Sequence, residues 1–264
     1  MAERSRVSTE KAGLNTGPRK YADGLAEDAD IGTSSEDYAR RFTGAVGRWF
    51  VETQTRITLG FLGALPMGAS ILDVGGGHGQ ITPPLLEAGY EVTVAGSDPS
   101  CGARLQPWIS NGKCKFEVAD LRSLPYPDRS FDAVVCLRLL PHSVDWKNLI
   151  AELCRVASRS VIVDYPSLRS ANILASRFFQ VKRGIELNTR RFMTFSPGQI
   201  HSAFAGHGFA VRAEQAQFLL PMVLHRLANQ SLLSRAAELP GRFLGITRRF
   251  GSPVIVRADR RAPG

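Results

Sequence analysis

Cysteine is scarce in this chain: its 264 residues include four, Cys101, Cys114, Cys136 and Cys154. No two of them form a C-x-x-C pair, and no histidine stands at the spacing of a zinc ligand. A zinc site or a disulfide framework is normally announced by such spacings. We therefore expect four reduced, mostly structural thiols and no bound metal.

Long apolar runs are missing too. No stretch of about 18 uninterrupted apolar residues exists, which excludes a transmembrane helix on length. The N-terminal segment MAERSRVSTEKAG carries charge but lacks the apolar region of a signal peptide. These absences predict a cytoplasmic protein. Acidic residues are also in deficit, 24 against 33 basic ones, and the net charge is +9.

The most informative pattern that is present is ILDVGGGHGQ, a short apolar strand that contains Asp73 and runs into a glycine turn. The glycines stand at alternate positions, Gly75, Gly77 and Gly79. Glycine tolerates positive φ and has no Cβ, so this turn brings backbone N–H groups close to a ligand. The dinucleotide fingerprint G-x-G-x-x-G fails, because its third glycine falls on Gln80. The acid ahead of the turn instead favours a ligand with a cationic amino group, such as S-adenosylmethionine.

Three further segments follow the turn in order. The predicted strand EVTVAG leads to Asp98, which follows Gly79 by 19 residues. Nucleotide-binding sheets place a ribose-binding carboxylate at an offset of about 20 residues. FEVADL contains Asp120, and FDAVVCL ends in Leu137. Together the four segments, over residues 67–164, resemble the motifs of class I S-adenosylmethionine-dependent methyltransferases, in particular type 11-like ones.

The resemblance implies how the cofactor S-adenosylmethionine is held. Asp73 and the glycines would bind its methionine end, Asp98 the ribose, and Asp120 with Leu121 the adenine. Two alternatives stay open: Asp98 caps the helix that follows it, and Asp120 is a turn residue. The implied cofactor-binding residues are Asp73, Gly75, Gly77, Gly79, Asp98, Pro99, Asp120, Leu121 and Leu137.

Segments with strand and helix periodicity alternate through the chain, which predicts a parallel sheet covered on both faces. The predicted strands are 70–74, 91–95, 115–119, 131–137, 160–164, 209–215 and 253–258. The predicted helices centre on 82–88, 101–108, 146–156 and 197–205. The expected fold class is α/β, with a doubly wound, mostly parallel seven-stranded sheet of the Rossmann-like methyltransferase type. A cofactor on such a sheet belongs at the carboxyl ends of the strands.

Three regions are expected along the chain. Residues 1–34 are polar and unpatterned, which is typical of a flexible tail. Residues 35–66 form a helical segment. Residues 67–264 form the methyltransferase domain, with helical insertions at 165–195 and 218–250. Long insertions at the ligand-bearing end of a scaffold are usually functional.

The helical segment repeats apolar side chains at three- and four-residue steps, which predicts a helix of about seven turns. Ser35 or Ser34 is its candidate cap, and a break is expected near Gly44 or Gly47. The resemblance implies a lid over the cofactor cleft. The residues expected to touch the ligand are Tyr38, Arg41 and Phe42. The alternative is an ordinary packing helix.

The two insertions are rich in basic and apolar residues. The first carries Arg169, Arg177, Phe178, Phe179, Lys182, Arg183, Arg190, Arg191, Phe192 and Phe195. The second, 218–250, has five arginines against one acid, Glu238. An apolar and basic helix suits the inner face of a membrane, or an amphiphilic acceptor with anionic parts. The alternative is packing on the sheet or on another subunit. RNA binding is a weaker interpretation, because no Asn/Asp-Pro-Pro-Tyr signature follows the fourth strand.

Candidate catalytic residues follow strands four and five. The fourth strand leads into RLLPHSVDW, where His142 is the side chain best placed to accept a proton from a methyl acceptor. Its alternative roles are to cap the next helix or to pack beneath the acceptor. Asp164 and Tyr165, at the end of strand five, are the second candidates for contact with the acceptor.

The sequence therefore predicts in-line methyl transfer from S-adenosylmethionine to O, N or C of a small-molecule or lipid-like acceptor. Two other classes remain: a non-catalytic S-adenosylmethionine-binding or scaffold protein, and a nucleic-acid methyltransferase. The expected partners are the acceptor itself and, through residues 218–250, a membrane surface.

Overall fold

A computed structural model describes residues 29–170 and 192–262. Its sheet contains β1 (Ser70–Val74), β2 (Glu91–Gly96), β3 (Cys114–Val118), β4 (Phe131–Cys136), β5 (Ala157–Tyr165), β6 (Phe209–Phe218) and β7 (Ser252–Arg260). The seven strands lie in the order β3-β2-β1-β4-β5-β7-β6. Strands β1 to β5 pair in parallel, whereas β7 is antiparallel to β5 and to β6. The predicted α/β class, with its mostly parallel seven-stranded sheet, is confirmed.

Both faces of the sheet are buried, as expected for parallel strands covered by helices. Neighbouring residues of β4 enter different cores, because side chains alternate between the two faces of a strand. Val134 and Cys136 belong to one core, and Ala133 and Val135 to the other. This double burial explains why the central strands read as continuous apolar runs in the sequence.

Ten helices are described on and around the sheet: α1 (Ala29–Thr33), α2 (Glu36–Arg40), α3 (Gly44–Leu62), α4 (Thr82–Glu87), α5 (Gln106–Ile109), α6 (Trp146–Val156), α7 (Pro197–Gly206), α8 (Met222–Ala228), α9 (Ser231–Phe243) and α10 (Ile246–Phe250). Leu149, Ile150 and Leu153 of α6 enter the core on one face. Ile57 and Leu62 of α3 enter the core on the other. The α4, α6 and α7 regions match the predicted helices, whereas the predicted helix 101–108 is mainly a 3₁₀ helix, Pro99–Leu105.

The predicted strand 70–74 matches β1, while the strands at the antiparallel edge are longer than predicted. Strands β6 and β7 pair from Phe209 with Arg260 to Phe218 with Ser252. Several residues in the middle of β6 are exposed, so its apolar signal is weak where its hydrogen bonds continue. Backbone pairing with β7, which the sequence pattern does not report, therefore sets the length of β6.

The helical segment after Ser35 is broken once, as expected. Helix α2 ends at Arg40 and α3 begins at Gly44, whose φ is +73°. The Ser35 hydroxyl accepts a hydrogen bond from the Tyr38 N–H at 3.2 Å, so Ser35 is the N-cap of α2. The expected seven-turn helix is therefore two helices, because the left-handed backbone at Gly44 cannot continue the first one.

The end of the predicted tail needs a correction. Residues 29–33 lie inside the segment 1–34, yet they form α1, and Ala29 and Asp30 are buried. A buried carboxylate needs hydrogen-bond donors. Asp30 finds them at the end of β2, so this part of the chain is fixed by tertiary contacts that its composition does not reveal.

The two insertions differ in what the structure describes. Of the first, residues 171–191 lie outside the described residues, and with them Arg177, Phe178, Phe179, Lys182, Arg183, Arg190 and Arg191. The chain re-enters beside β5, where the Phe195 N–H donates to the Pro166 carbonyl at 2.9 Å. The second insertion forms α8, α9 and α10. Within the ranges 29–170 and 192–262, no helix is both long and apolar enough to cross a membrane.

Candidate functional site

The glycine turn after β1 has the geometry that its sequence predicts. Gly75 and Gly79 have φ of +72° and +64°, a conformation that favours glycine. A Cβ on Gly77 would overlap the Cys101 carbonyl oxygen and the Ser34 hydroxyl. A Cβ on Gly76 would overlap the Asp73 carboxyl group. Backbone therefore approaches its neighbours closely throughout the turn.

Asp73 lies beneath this turn and is fully buried. The Thr82 hydroxyl donates to Asp73 Oδ2 at 2.9 Å. The other oxygen, Oδ1, has no hydrogen-bond partner among the residues of the described ranges. Burial raises the pKa of Asp73 to about 7. A buried carboxylate oxygen with an open position fits a cationic donor such as the ammonium of the methionine end, which would favour the ionised form.

Asp98 and Pro99 follow β2, at the same edge of the sheet. The Ser100 N–H donates to Asp98 Oδ1 at 2.8 Å, so Asp98 caps the short helix that Pro99 begins. This hydrogen bond, with that of the Ser100 side chain, lowers the pKa of Asp98. The capping alternative is therefore observed. Asp98 is partly exposed, which also leaves its carboxylate accessible to hydroxyl groups of a ribose.

Asp120 and Leu121 follow β3. The Arg122 N–H donates to Asp120 Oδ1 at 2.9 Å, and the Ser123 N–H donates to the Asp120 carbonyl at 3.0 Å. Asp120 is thus a turn residue in this structure, with its carboxylate half-buried. Leu121 is buried in the core beside Ala119. The adenine role of this pair remains a prediction.

A segment that sequence reasoning missed lies on the glycine turn. Helix α1 places Asp30 between the ends of β1 and β2, where Ser97 donates its N–H to Asp30 Oδ2 at 2.7 Å and its hydroxyl to Oδ1 at 2.5 Å. The Cys101 thiol lies 3.4 Å from Oδ2. A Cβ on Gly75 would come within 3.6 Å of the Asp30 Cβ. The face of the turn that lacks Cβ atoms is therefore covered by α1.

The end of β4 carries a second residue that sequence reasoning missed, Arg138, directly after the buried Leu137. Arg138 has φ of +64°, and its N–H donates to Asp164 Oδ1 at 2.5 Å. Its Nε donates to Gln54 Oε1 at 2.9 Å, and its guanidinium also bonds the Gln80 side chain. The guanidinium lies 3.8 Å from the centre of the Phe42 ring. The detectable signal was an arginine directly after a buried strand.

Arg138 connects the glycine turn to a cavity at the ends of β4 and β5. The cavity encloses about 160 Å³, close to the volume of about 150 Å³ that accommodates benzene in an engineered apolar cavity. The lining is mostly apolar and comes from the first helices, from the ends of β4 and β5 and from α8. The residues are Tyr38, Arg41, Phe42, Phe50, Gln54, Arg138, Pro141, His142, Asp164, Pro166, Phe192, Gln217, Met222, Arg226 and Pro253.

Two of the three catalytic candidates line this cavity. His142 ends the short 3₁₀ helix Leu140–His142, and its ring centre lies 5.6 Å from that of Phe192. Asp164 is buried, which raises its pKa, while the Arg138 N–H and the Arg138 charge act in the opposite direction. His142, after β4, and Asp164, near the end of β5, therefore line one space.

The third candidate, Tyr165, is not brought to this cavity. Strand β5 continues through Tyr165, so its side chain points to the opposite face from Asp164. The ring is buried and lies 6.3 Å from that of Phe195. Burial and the neighbouring Glu214 raise the pKa of its hydroxyl. This location is that of a core residue.

Comparison with known proteins finds a methyltransferase domain that spans most of strands β1 to β5. Residues 72–163, about a third of the chain, match a family model described as a methyltransferase domain. A demethylmenaquinone methyltransferase from Deinococcus radiodurans is 35% identical over 103 residues, 36% of this chain and 43% of that protein. A 27-O-demethylrifamycin SV methyltransferase from Amycolatopsis mediterranei is 32% identical over 148 residues, 51% of this chain and 54% of that protein. The chain spans about half or less of the length of these curated relatives.

The fold has close counterparts among solved structures. The magnesium protoporphyrin IX methyltransferase from Synechocystis PCC 6803 with bound SAH matches with a TM-score of 0.60 at 18% identity, over 88% of this chain and 98% of that one. This likeness establishes the fold. The matched domain, the relatives and this fold together support a class I S-adenosylmethionine-dependent methyltransferase. S-adenosylmethionine is the cofactor of this enzyme class.

Proposed function

We propose that this chain transfers a methyl group from S-adenosylmethionine to a small acceptor bound in the cavity at the ends of β4 and β5. The observation that carries the proposal is the contact between the two sites. Arg138 lines the cavity and bonds Gln80, the residue after the glycine turn. Leu139 meets the turn directly, 3.0 Å from a Cβ built on Gly75. Donor and acceptor would therefore lie side by side.

The residues at the sheet edge fit the cofactor once α1 leaves the glycine turn, which it covers in this structure. Asp73, through its open Oδ1, would hold the ammonium group, and the backbone of the glycine turn the rest of the methionine end. Asp98 would bind the ribose, while Asp120 and Leu121 would line the adenine. The bound cofactor supplies an electrophilic methyl group on a sulfonium. The chain has to align the acceptor with it and to exclude water.

His142 is the proposed proton acceptor when the acceptor atom arrives protonated. It lines the cavity beside Phe192, and histidine titrates near neutral pH. Asp164 also lines the cavity, but the Arg138 N–H already binds one of its oxygens. We therefore assign Asp164 to positioning Arg138 and His142 to proton transfer. The acceptor atom is an O, N or C, and a hydroxyl acceptor would give up its proton to this base.

The acceptor class follows from the cavity and from the relatives. The names of the matched relatives denote small-molecule acceptors, demethylmenaquinone and a demethylrifamycin. The mostly apolar lining and the volume of about 160 Å³ suit a ring-sized part of such a molecule. Support for a nucleic-acid acceptor would require a wide basic groove, whereas this cavity is ring-sized and its lining is mostly apolar.

The test is a transfer assay with methyl-labelled S-adenosylmethionine and a panel of small hydroxylated aromatic acceptors. We expect S-adenosylhomocysteine and labelled acceptor to form in equal amounts. His142→Gln should lower turnover by at least about tenfold without weakening cofactor binding. The matched control is His201→Gln. His201 is exposed, does not line the cavity, and its Nε2 lies 2.7 Å from Glu214 Oε1. A cofactor that is bound but never converted would instead support a binding protein.

We also propose that α8 to α10 contact an anionic membrane surface. Their outer side exposes large apolar side chains, and Leu232 and Phe243 are 80% and 92% exposed. Arginines accompany them, including Arg248 and Arg249, and no acid lies in α10. Apolar side chains enter the interface while arginines meet phosphate, so the chemistry of this surface matches that of a lipid layer.

Helix α8 joins this surface to the cavity, which makes a lipid-like acceptor accessible. Met222 and Arg226 line the cavity, whereas Leu227 on the same helix is exposed. Sedimentation with phosphatidylglycerol vesicles should pellet the wild type but not a Leu232→Ser, Phe243→Ser variant. Met67→Ser, at an exposed apolar position far along the chain, is the control. If all three proteins pelleted equally, or if no protein pelleted with the vesicles, the proposed membrane contact of α8 to α10 would be wrong.

A further inference from the structure

The cavity carries an unbalanced set of charges. Three guanidinium groups line it: Arg41 directly after α2, Arg138 after β4 and Arg226 from α8. Among the lining residues in the described part of the chain, Asp164 is the single carboxylate. The space is otherwise apolar and aromatic. Such a lining has an excess of positive charge, of which Arg41 and Arg226 lie at the exposed side and Arg138 lies deeper.

Arg138 is already satisfied by the protein. Its backbone and side chain bond Asp164, Gln54 and Gln80, and its guanidinium stacks on Phe42. These contacts fix Arg138 in the wall between the glycine turn and the cavity. Its guanidinium is held by two neutral amide side chains, Gln54 and Gln80, so direct contacts with a ligand fall to the remaining two arginines.

Arg41 and Arg226 stand at the mouth without a carboxylate partner in the described ranges. Arg226 lies 5.8 Å from the ring centres of both Phe42 and Phe50, and Arg41 lies 5.4 Å from that of Tyr38. Partial burial and the charge of Arg41 lower the pKa of Arg226. Two like charges on aromatic rings repel each other unless an anion comes between them.

We infer that the cavity selects an acceptor with an oxyanion, held by Arg41 and Arg226, and a ring-sized apolar body that lies against Phe42, Phe50 and Phe192. This inference deepens the proposed function, on which it rests. Guanidinium groups bind carboxylate or phosphate oxygens in paired, charge-assisted hydrogen bonds. An anion at the mouth would fix the orientation of the acceptor and leave its far end, with the nucleophilic atom, toward His142 and Asp164.

Two other classes of acceptor fit less well. A cationic amine would meet three guanidinium groups and one carboxylate that Arg138 already engages. A neutral hydrocarbon would fill the apolar part but would leave the repulsion between Arg41 and Arg226 in place. An anionic acceptor satisfies both the apolar and the charged part of the lining.

The test uses matched probes in the presence of S-adenosylhomocysteine: 4-hydroxybenzoate, 4-hydroxyphenyl phosphate and the neutral 4-hydroxybenzamide, with two-ring analogues of each. Binding is measured by ligand-observed NMR and calorimetry. We expect the anions to bind at least about tenfold more tightly than the amides. An Arg41→Gln, Arg226→Gln variant should lose that preference, while Arg226→Lys alone should keep part of it.

The matched control is Arg235→Gln. Arg235 lies on the same insertion, but it pairs with Glu52 at 2.9 Å outside the cavity. It should keep the wild-type preference, and melting curves should show that every variant is folded. Equal affinity for anions and amides, no binding of any anion at millimolar concentration, or a preference that survives in the double variant would each overturn the inference.

The same samples separate this inference from the proposed function. If the protein prefers anions but methylates none of those that bind, the inferred anion site is supported and the proposed methyl transfer is not. Methyl transfer to amides as fast as to the anions would leave the activity in place and remove the selectivity. Whether the oxyanion is a carboxylate or a phosphate follows from the relative affinities of the two acidic probes.

Discussion

The Asp30 carboxylate accepts both the N–H and the hydroxyl of Ser97, at 2.7 and 2.5 Å. Ser97 directly precedes Asp98, the expected ribose ligand. Helix α1 thus lies in the crevice between the ends of β1 and β2, on the side of Gly75 and Gly77 that has no Cβ atoms. In a class I methyltransferase that crevice is where the cofactor is expected, so α1 and the cofactor would compete for it.

Removing the Asp30 carboxylate should therefore strengthen cofactor binding. Asp30→Ala loses the hydrogen bonds that hold α1 in the crevice, and we expect the affinity for S-adenosylmethionine to rise about tenfold. Calorimetric titration measures this change. Asp37→Ala is the control, because Asp37 is exposed on α2 and pairs with Arg40. A weaker affinity in Asp30→Ala would mean that Asp30 contributes to the cofactor site instead.

The stability of the protein should depend on the charge of Asp73. Burial raises its pKa from 3.8 to about 7, so the folded state binds this proton more tightly than the unfolded state does. The resulting stabilisation is complete below pH 3.8 and is lost as the pH rises through about 7. We expect the free energy of unfolding to fall over this window by roughly 4 kcal/mol at most.

Urea unfolding between about pH 4 and pH 8 tests this dependence. Asp73→Asn keeps an oxygen for the Thr82 hydroxyl and removes the titration, so its curve should be flatter than that of the wild type. Saturating S-adenosylmethionine should also flatten the wild-type curve, since its ammonium favours ionised Asp73. Parallel curves for the two proteins would show that Asp73 does not titrate in this window.

Asp98 has two roles that one substitution separates. Serine caps helices about as well as aspartate. It has no carboxylate, however, so it cannot replace aspartate as the acceptor for ribose hydroxyls. Asp98→Ser should therefore leave the melting temperature nearly unchanged and weaken S-adenosylmethionine binding by at least about tenfold. Thermal melts and calorimetry of the same preparation give both values. An unchanged affinity would leave Asp98 with its capping role alone.

Gly77 should tolerate no side chain. A Cβ there would overlap the Cys101 carbonyl oxygen and the Ser34 hydroxyl, so Gly77→Ala should cost about 1–3 kcal/mol of stability. It should also displace the turn and weaken cofactor binding. Gly198→Ala is the matched control, because a Cβ at this helical position meets nothing within 4 Å. Equal stability of both variants would mean that the turn rearranges at little cost.

The features that the sequence predicts best are those that depend on short segments of the chain. The strand 70–74, the glycine turn and the cap at Ser35 were all predictable, because apolar burial, positive φ and N-cap hydrogen bonds are properties of short segments. Asp30 was not predictable, since its five-residue helix has no periodicity and its partner Ser97 lies 67 residues away. Asp164 lines the cavity and Tyr165 does not, because β5 continues through Tyr165 and turns its side chain to the other face. Apolar patterning alone does not show where the strand ends.

The charged lining of the cavity was also beyond the sequence pattern. The sequence indicates Arg41 as a candidate ligand contact and Arg226 as part of a basic insertion, but nothing in their spacing places them at one cavity mouth. That juxtaposition arises because α8 packs against α3, so that Arg226 meets Phe50 of α3 and Phe42 just before it. Contacts between distant segments of this kind decide the substrate site, whereas the cofactor motifs lie within one stretch of chain.

The most direct test of the account is a calorimetric titration of the wild type and of Asp30→Ala with S-adenosylmethionine, S-adenosylhomocysteine and NAD. We predict micromolar binding of both adenosyl compounds, tighter in Asp30→Ala, and no binding of NAD. The cofactor site at the ends of β1 to β3 would be contradicted if NAD bound. It would also be contradicted if neither adenosyl compound bound to the wild type or to Asp30→Ala.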